Sequence, residues 1–554
     1  MKIYNTATPQ KKSKKRYLAH FIATCMPFQI YGDNSSCTSN PELMSSSMKI
    51  NISEVTLTIP IDGKTIPISP YIYGHNDHNY LKNANMTFQR QGGNRFTGYN
   101  WENNASHAGE DWEHSSDSNL SPSLLPGKVW IDFINQGKIR GTKSIVTLQM
   151  AGHVAADRNG PVLVTEVAPS SRWKEIRNYK KSSLNTQPDT SDGFVYMDEA
   201  VHFLVQKFGR AIDGGVFGYS LDNEPCLWSS THPRIHPVKP TYSEVLSKSI
   251  SLSTIIKNHD PSAKVWGGVL YGWNSYTDGA WDELNGTWFI DQFLRDMATQ
   301  DKILGKRLLD VIDIHWYPES RGDGKRIVFE GGITRGSIEA RLQAPRSLWD
   351  TTYTENSWIA KHVTKGPIVL LPELHRRISE SYPGTYLSIS EWDFGETSHW
   401  SGGLACADAL GVFGREKIYS ASPWGELGIY ASKAFELYRN YDGKNSTYGD
   451  LAISASSSNN TLASVFASLS SQNNSNLNII VINKSYLSTI ATFQLQGSHT
   501  YREASVWGFD AHCPEITNRK RNFNINSASF QYDLPPHSAL HFVIKANETF
   551  IKQR

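Results

Sequence analysis

The stretch FGYSLDNEP, residues 217–225, decides how the rest of the chain is read. Gly214 and Gly215 precede it, Pro225 closes it, and its first half is aromatic and apolar, so it is predicted to be a short buried strand. The strand runs out into Asp222, Asn223 and Glu224. An ionised group at the end of a buried strand is costly to desolvate unless it is paired or used. A plain alternative for Glu224 is a carboxylate capping the helix that follows.

Outward from this strand, short apolar runs alternate with helical segments. Eight such runs are legible: PYIYG (70–74), FQRQGGN (88–94), KSIVTLQM (143–150), FGYSLDNEP (217–225), KVWGGVL (264–270), LLDVIDIHWYP (308–318), LSISEWDF (387–394) and IYSASPW (418–424). Between the third and fourth runs, Met197, Val201, Leu204 and Phe208 share one helical face. Eight strands separated by helices predict a (β/α)8 TIM barrel over 69–442. Beyond it, Ser- and Asn-rich turns separate alternating segments such as NLNIIVINKS and SALHFVIK, which predicts an appended β-sandwich domain over 443–554. The alternating segment within 49–68 is expected to join that sandwich, and 1–48 reads as a signal-like segment with a linker.

On this count Glu224 lies at the C-terminal end of strand four, the end where barrels place their active sites. Strand seven also ends in an acid, Glu391, and simple alternation sets it with Leu387 and Ile389 rather than with Ser388 and Ser390. Two carboxylates facing each other across a barrel mouth suit glycoside hydrolysis with retention, which needs them about 5–5.5 Å apart. Asn223 is placed to bind a sugar 2-hydroxyl. His315, Trp316 and Tyr317 end strand six, and Trp424, ending strand eight, is a candidate floor for a sugar. Ordinary packing is the competing explanation for each of them. Trp228, Trp273 and Tyr276 are weaker cleft candidates.

Composition is compatible with such a site. The 554 residues carry a formal net charge of +2, so neither nucleic acid nor an acidic polymer is favoured as a partner. Sixteen Trp and twenty-five Tyr supply rings on which neutral sugars stack. The five cysteines include no C-x-x-C pair, which argues against a zinc site or a disulfide framework. Near the N-terminus, KKSKKR (11–16) precedes YLAHFIATCMPF, a weak secretion signal whose Cys25 sits near a lipoprotein cleavage pattern. Secretion, no membrane span and a monomer are expected.

Three long motifs, QGGNRFTGYNWENNASHAGEDWEHSSD (91–117), YSLDNEPCLWSSTHPRIHP (219–237) and SISEWDFGETSHWSGGLACADALGVFGRE (388–416), resemble glycoside hydrolase family 44, endoglucanases and xyloglucanases. The likeness runs from about residue 50 to the C-terminus. It implies a barrel plus β-sandwich, retention of configuration, Glu224 as acid/base, Glu391 as nucleophile, and β-1,4-glucan substrates. No cofactor is required on this reading, and the resemblance leaves room for a structural calcium. The chain departs from the family where Trp392-Asp393 follows Glu391 in place of Tyr-Asn, and like-charge coupling of Asp393 with Glu391 is expected.

The loop QGGNRFTGYNWENN lacks the Lys of a phosphate-cradling loop and is expected to wall the cleft, with Arg95, Asn100 and Trp101 toward sugar. Metal signals are thin: His75 with His78, His232 with His236, and the turn Asp157-Arg-Asn159-Gly160. Alternatives are another retaining glycosidase, such as a xylanase or mannanase, and a glycan-binding protein on an inactive barrel.

Overall fold

The computed structural model describes residues 53–546, apart from 77–78, 473–475, 499–500 and 526–527. The leader-like segment with Cys25, and His78, lie outside the described residues.

Eight parallel strands form a nearly closed barrel: β1 (Gly74–Asn76), β2 (Phe88–Arg90), β3 (Lys143–Leu148), β4 (Gly218–Leu221), β5 (Lys264–Leu270), β6 (Val311–Trp316), β7 (Tyr386–Trp392) and β8 (Ser420–Pro423). Each pairs with its neighbour in chain order, β1 to β8. One run differs from its sequence reading. In PYIYG, Pro70 has no amide hydrogen to give a ladder and Ser69 accepts from the Tyr71 amide, so residues 70–72 form a 3-10 turn and the strand starts only at Gly74.

The seam between β1 and β8 is closed by a side chain. The Asn76 amide donates to the carbonyls of Ser390 (3.1 Å) and Pro423 (3.0 Å). Gly74 permits this approach, because a Cβ there would lie 2.6 Å from the Ala421 carbonyl oxygen and 2.8 Å from the Phe88 ring. Inside the barrel's lower end, Phe88, Ile145, Trp266 and Val311 form their own small core, while outward-facing residues such as Leu387 and Ile389 pack against the helices. The helix Met197–Phe208 buries Met197, Val201 and Leu204, in line with its periodicity.

Two further sheets pack face to face. Strand Ser53–Pro60 pairs in parallel with Thr489–Gln496 in a four-stranded sheet, and a seven-stranded sheet runs from Thr65–Pro67 to Cys513–Asn524. Leu57, Phe493, Val481 and Phe542 share the core between them. The strand Cys513–Asn524 had no clear apolar signal because it is a largely solvent-facing edge strand. This sandwich lies against the helix Trp400–Arg415, which follows β7: Lys484 pairs with Asp408 at 2.5 Å, and Gly411 leaves room for the Phe466 ring. No described helix is long and apolar enough to cross a membrane.

Gly74→Val is expected to open the β1–β8 seam and to destabilise the fold by roughly 1–3 kcal/mol, the usual cost of overpacking. A lowered denaturant midpoint against the unaltered chain would show it; an unchanged midpoint would mean that the seam tolerates a side chain.

Candidate active site

Strict alternation would turn Glu391 outward with Leu387 and Ile389. The β6–β7 register instead passes from Ile314–Ile389 to His315–Glu391, so Ser390 is an extra residue. This bulge re-aims Glu391 into the barrel mouth. Glu224 is aimed by a different device. It adopts a left-handed backbone (φ 44°), and its amide donates to the carbonyl of Val269, in the irregular stretch of β5, at 3.0 Å. The turn is held by the buried Asp222, whose carboxylate accepts from Thr97 Oγ1 (2.6 Å), Met150 N (2.5 Å) and Asn223 N (2.7 Å).

One oxygen of Glu224, one of Glu391 and a ring nitrogen of His315 lie within 4.8 Å of one another. His315 Nδ1 is 2.8 Å from Glu224 Oε1 and 3.4 Å from Glu391 Oε2. Arg90, fully buried, donates to Glu391 Oε1 (2.7 Å), Asn223 Oδ1 (2.7 Å) and Asn76 Oδ1 (3.2 Å). Tyr317 donates its hydroxyl to Glu391 Oε2 at 2.7 Å. Arg90 also faces His315 Nε2 at 3.4 Å, which leaves the imidazole proton on Nδ1, directed at Glu224.

The two carboxyls therefore sit in unlike fields. Burial raises Glu224 to about 7, with Arg90 opposing and Asp111 adding to the rise. Burial holds His315 down at about 4, so the imidazole is neutral near pH 7. Glu391 instead receives the Arg90 guanidinium and the Tyr317 hydroxyl, both donors suited to an anion. Burial raises the Tyr317 phenol well above its ordinary range and keeps it a donor.

Around this pair lies a cleft of about 450 Å³. Of the residues anticipated from sequence, Asn223, Trp316, Tyr317 and Trp424 line it beside the two acids, and His315 lies buried beneath. Arg95, Asn100 and Trp101 do not reach it. Arg95 pairs with Asp117 (2.6 Å), the Asn100 amide donates to the Ala155 carbonyl (2.9 Å), and Trp101 stacks on Trp130 inside the core. The loop's contribution is its glycines. A Cβ on Gly92 would sit 2.1 Å from the Arg90 guanidinium carbon, and one on Gly93 would sit 2.4 Å from the Trp424 ring. Trp273 lines the cleft, whereas Trp228 and Tyr276 are buried. Asp393 is also corrected. It accepts from the Gly395 amide (2.8 Å), and burial lifts it to about 6, with Arg341 and Glu396 as its charged neighbours rather than Glu391.

The sequence reading passed over Arg90 and Asn76, and over Asn94 and Asp111, which line the cleft and hydrogen-bond to each other at 3.0 Å. The signal was present for Arg90, a lone cation inside an otherwise uncharged strand ending. At the metal candidates, Arg172 takes both oxygens of Asp157 (2.7 and 3.1 Å), and His236 is engaged by Glu244 (2.9 Å) and the Val238 carbonyl (2.6 Å). Among the described residues the ligand-like cluster is Glu224, His315 and Glu391, where a cation would compete with the Arg90 guanidinium.

Residues 105–320 match the family model for glycoside hydrolase family 44. Endoglucanase A of Paenibacillus lautus is 46% identical over 524 residues, covering 91% of this chain and 75% of that protein. The β-mannanase/endoglucanase A of Caldicellulosiruptor saccharolyticus is 42% identical over 511 residues, covering 87% of this chain but 38% of its own length. The structure of a family 44 xyloglucanase from Paenibacillus polymyxa with xyloglucan superposes with a TM-score of 0.86 at 44% identity, covering 89% of this chain and all of that one.

With Glu224 at about 7, a carboxyl carbon signal titrating near pH 7 is expected in 13C NMR and should vanish in Glu224→Gln. If no signal titrating near pH 7 is lost in Glu224→Gln, the environment described for Glu224 is wrong.

Proposed function

The chain belongs to glycoside hydrolase family 44, and we propose that it is a retaining endo-β-1,4-glucanase acting on xyloglucan or cellulose-like chains by double displacement. The observation that carries this reading is the pair of strand-end carboxylates in one aromatic-walled cleft, their oxygens within 4.8 Å and their surroundings opposed.

In the first step, Glu224 gives its proton to the glycosidic oxygen as the bond from that oxygen to the anomeric carbon breaks. Glu391 attacks the anomeric carbon and forms a glycosyl ester. In the second, Glu224, now a carboxylate, takes a proton from water, and the water oxygen displaces Glu391. Two inversions give net retention. Arg90 and Tyr317 hold Glu391 by one oxygen each, which fixes its orientation for attack. His315 holds Glu224 by its Nδ1 proton, and Asn223, fixed by Arg90, is offered to the sugar 2-hydroxyl. Trp424 supplies the ring beneath the sugar. The xyloglucanase resemblance is the support for decorated glucans, and the name of the C. saccharolyticus relative makes mannan an arm to assay.

This chemistry uses two carboxyls and water, so no cofactor is proposed. The substrate is a polymer that cells do not import whole, so the proposed place of action is extracellular.

Reducing ends released from carboxymethyl-cellulose, xyloglucan, xylan and mannan test the reading. Activity on a β-glucan is expected, with Glu391→Gln abolishing it and Glu224→Gln lowering it about 10²–10⁴-fold. On an aryl glycoside, whose leaving group needs no proton, Glu224→Gln should lose far less. No release from any of the four polymers would remove the assignment.

The proton on Glu224 also sets a pH dependence. As pH rises through about 7 the acid is lost, so kcat/KM should fall along an alkaline limb with its midpoint there. A limb that begins only above pH 9 would show that a different group supplies the proton.

A further inference from the structure

The bulge that carries Glu391 into the cleft shows from both neighbours of β7. Against β6 the register passes from Ile314–Ile389 to His315–Glu391, and against β8 from Ile389–Ala421 to Trp392–Pro423. Ser390 has no counterpart on either strand. A residue inserted in this way leaves the ladder, and one that is fully buried must find other partners for its amide and carbonyl.

Both partners are side chains from other strands. The Ser390 amide donates to Asp313 Oδ1 at 3.1 Å, and its carbonyl accepts from the Asn76 side-chain amide at 3.1 Å. Asp313 stands on β6, beside β7, and Asn76 on β1, across the barrel seam. The extra residue is thus clasped at both of its backbone groups. Glu391 is the next residue along the chain, so the clasp fixes the point from which its side chain departs.

The Asp313 carboxylate is spent on that amide. It has no solvent exposure, and among the described residues the Ser390 amide is its one hydrogen-bond partner. Burying a carboxylate in mid-strand is costly, and on packing grounds alone an apolar residue would suit VIDIHW better. The charge of Asp313 also reaches His315, two residues on, but burial outweighs it there and holds the imidazole down at about 4. What Asp313 supplies is an acceptor for an amide that regular pairing would have satisfied.

We propose that Asp313 is a positioning residue for Glu391: by accepting the amide of the extra residue it holds the bulge of β7, and with it the angle at which Glu391 meets the sugar. The proposal rests on the glucanase reading above, in which Glu391 attacks the anomeric carbon. It accounts for a buried acid that stands outside the walls of the cleft.

The test follows covalent labelling by an activated aryl 2-deoxy-2-fluoro cellobioside, in which a Glu391 oxygen bonds to the anomeric carbon as the aryl group departs. That leaving group needs no proton, so the labelling rate reads the attack by Glu391 and the saturation constant reads binding. Asp313→Ala removes the acceptor and is expected to label about 10²-fold more slowly, the cost of a misplacement of about 1 Å, with the saturation constant unchanged. Asp313→Asn keeps an acceptor oxygen without the charge and should label at close to the original rate. Should Asp313→Ala not fold, Ser390→Pro removes the donated hydrogen and leaves Asp313 in place; bulges tolerate proline, and the same slow labelling is expected. An unslowed Asp313→Ala or Ser390→Pro, an Asp313→Asn as slow as Asp313→Ala, or a loss of binding that matches the loss of rate would overturn the positioning role. Failure of the unaltered chain either to take the label or to cleave a β-glucan would instead overturn the glucanase reading.

Discussion

Arg90 is the side chain on which the site depends. It is carried at the end of β2, has no solvent exposure, and reaches Asn76 at the end of β1, Asn223 just past β4, His315 on β6 and Glu391 on β7. A guanidinium is planar and presents donors in a fixed fork, so one cation sets the relative positions of groups from four other strands. Burying that charge is costly, and the Glu391 carboxylate paired with it at 2.7 Å offsets that cost. The same Asn76 that receives Arg90 also bridges the β1–β8 seam, so closing the barrel and placing Glu391 are one structural act. Gly92 belongs to this account, since any larger residue would occupy the guanidinium's place.

From that asymmetry the division of labour between the two acids follows. Arg90 and Tyr317 both donate to Glu391, one to each oxygen, as the proposed role of nucleophile requires. Glu224, desolvated and beside the further carboxylate Asp111, is raised to about 7. His315 stands between them as a neutral donor because burial has removed its basicity. Two residues of the same type therefore have opposed surroundings, one desolvated and one held by donors, a difference made by the fold rather than by the residues themselves.

The elements that were legible in sequence are those whose signal is local. Short apolar runs between amphipathic helices gave the barrel, and strand-end acids at 224 and 391 gave the pair. What was hidden depends on register or on distant partners. The bulge at Ser390 changes which face Glu391 occupies, and nothing in LSISEWDF marks it. Asp393 lies just past the end of β7, so strand alternation no longer governs it, and it turns to the Gly395 amide. Arg95, Asn100 and Trp101 looked like cleft residues because they are polar or aromatic beside a Gly-rich loop, yet Asp117, the Ala155 carbonyl and Trp130 engage them first. The glycines of that loop had meaning only once Arg90 and Trp424 were located in space.

The sandwich has a place in this logic although it contributes no group to the cleft. The helix Trp400–Arg415 begins eight residues after Trp392 ends β7, and nearly all of it is buried. On one side it supports the barrel. On the other it meets the sandwich through the buried Lys484–Asp408 pair, the Ser464 hydroxyl on Asp408 and the Phe466 ring seated over Gly411. A buried ion pair adds little net stability but disfavours any arrangement that separates its partners, because each charge would then be left desolvated and alone. The sandwich thereby restricts the helix, and the helix restricts the strand that carries Glu391. A bulged strand end held only by its barrel neighbours would be free to revert to regular pairing; one backed by a clamped helix is not.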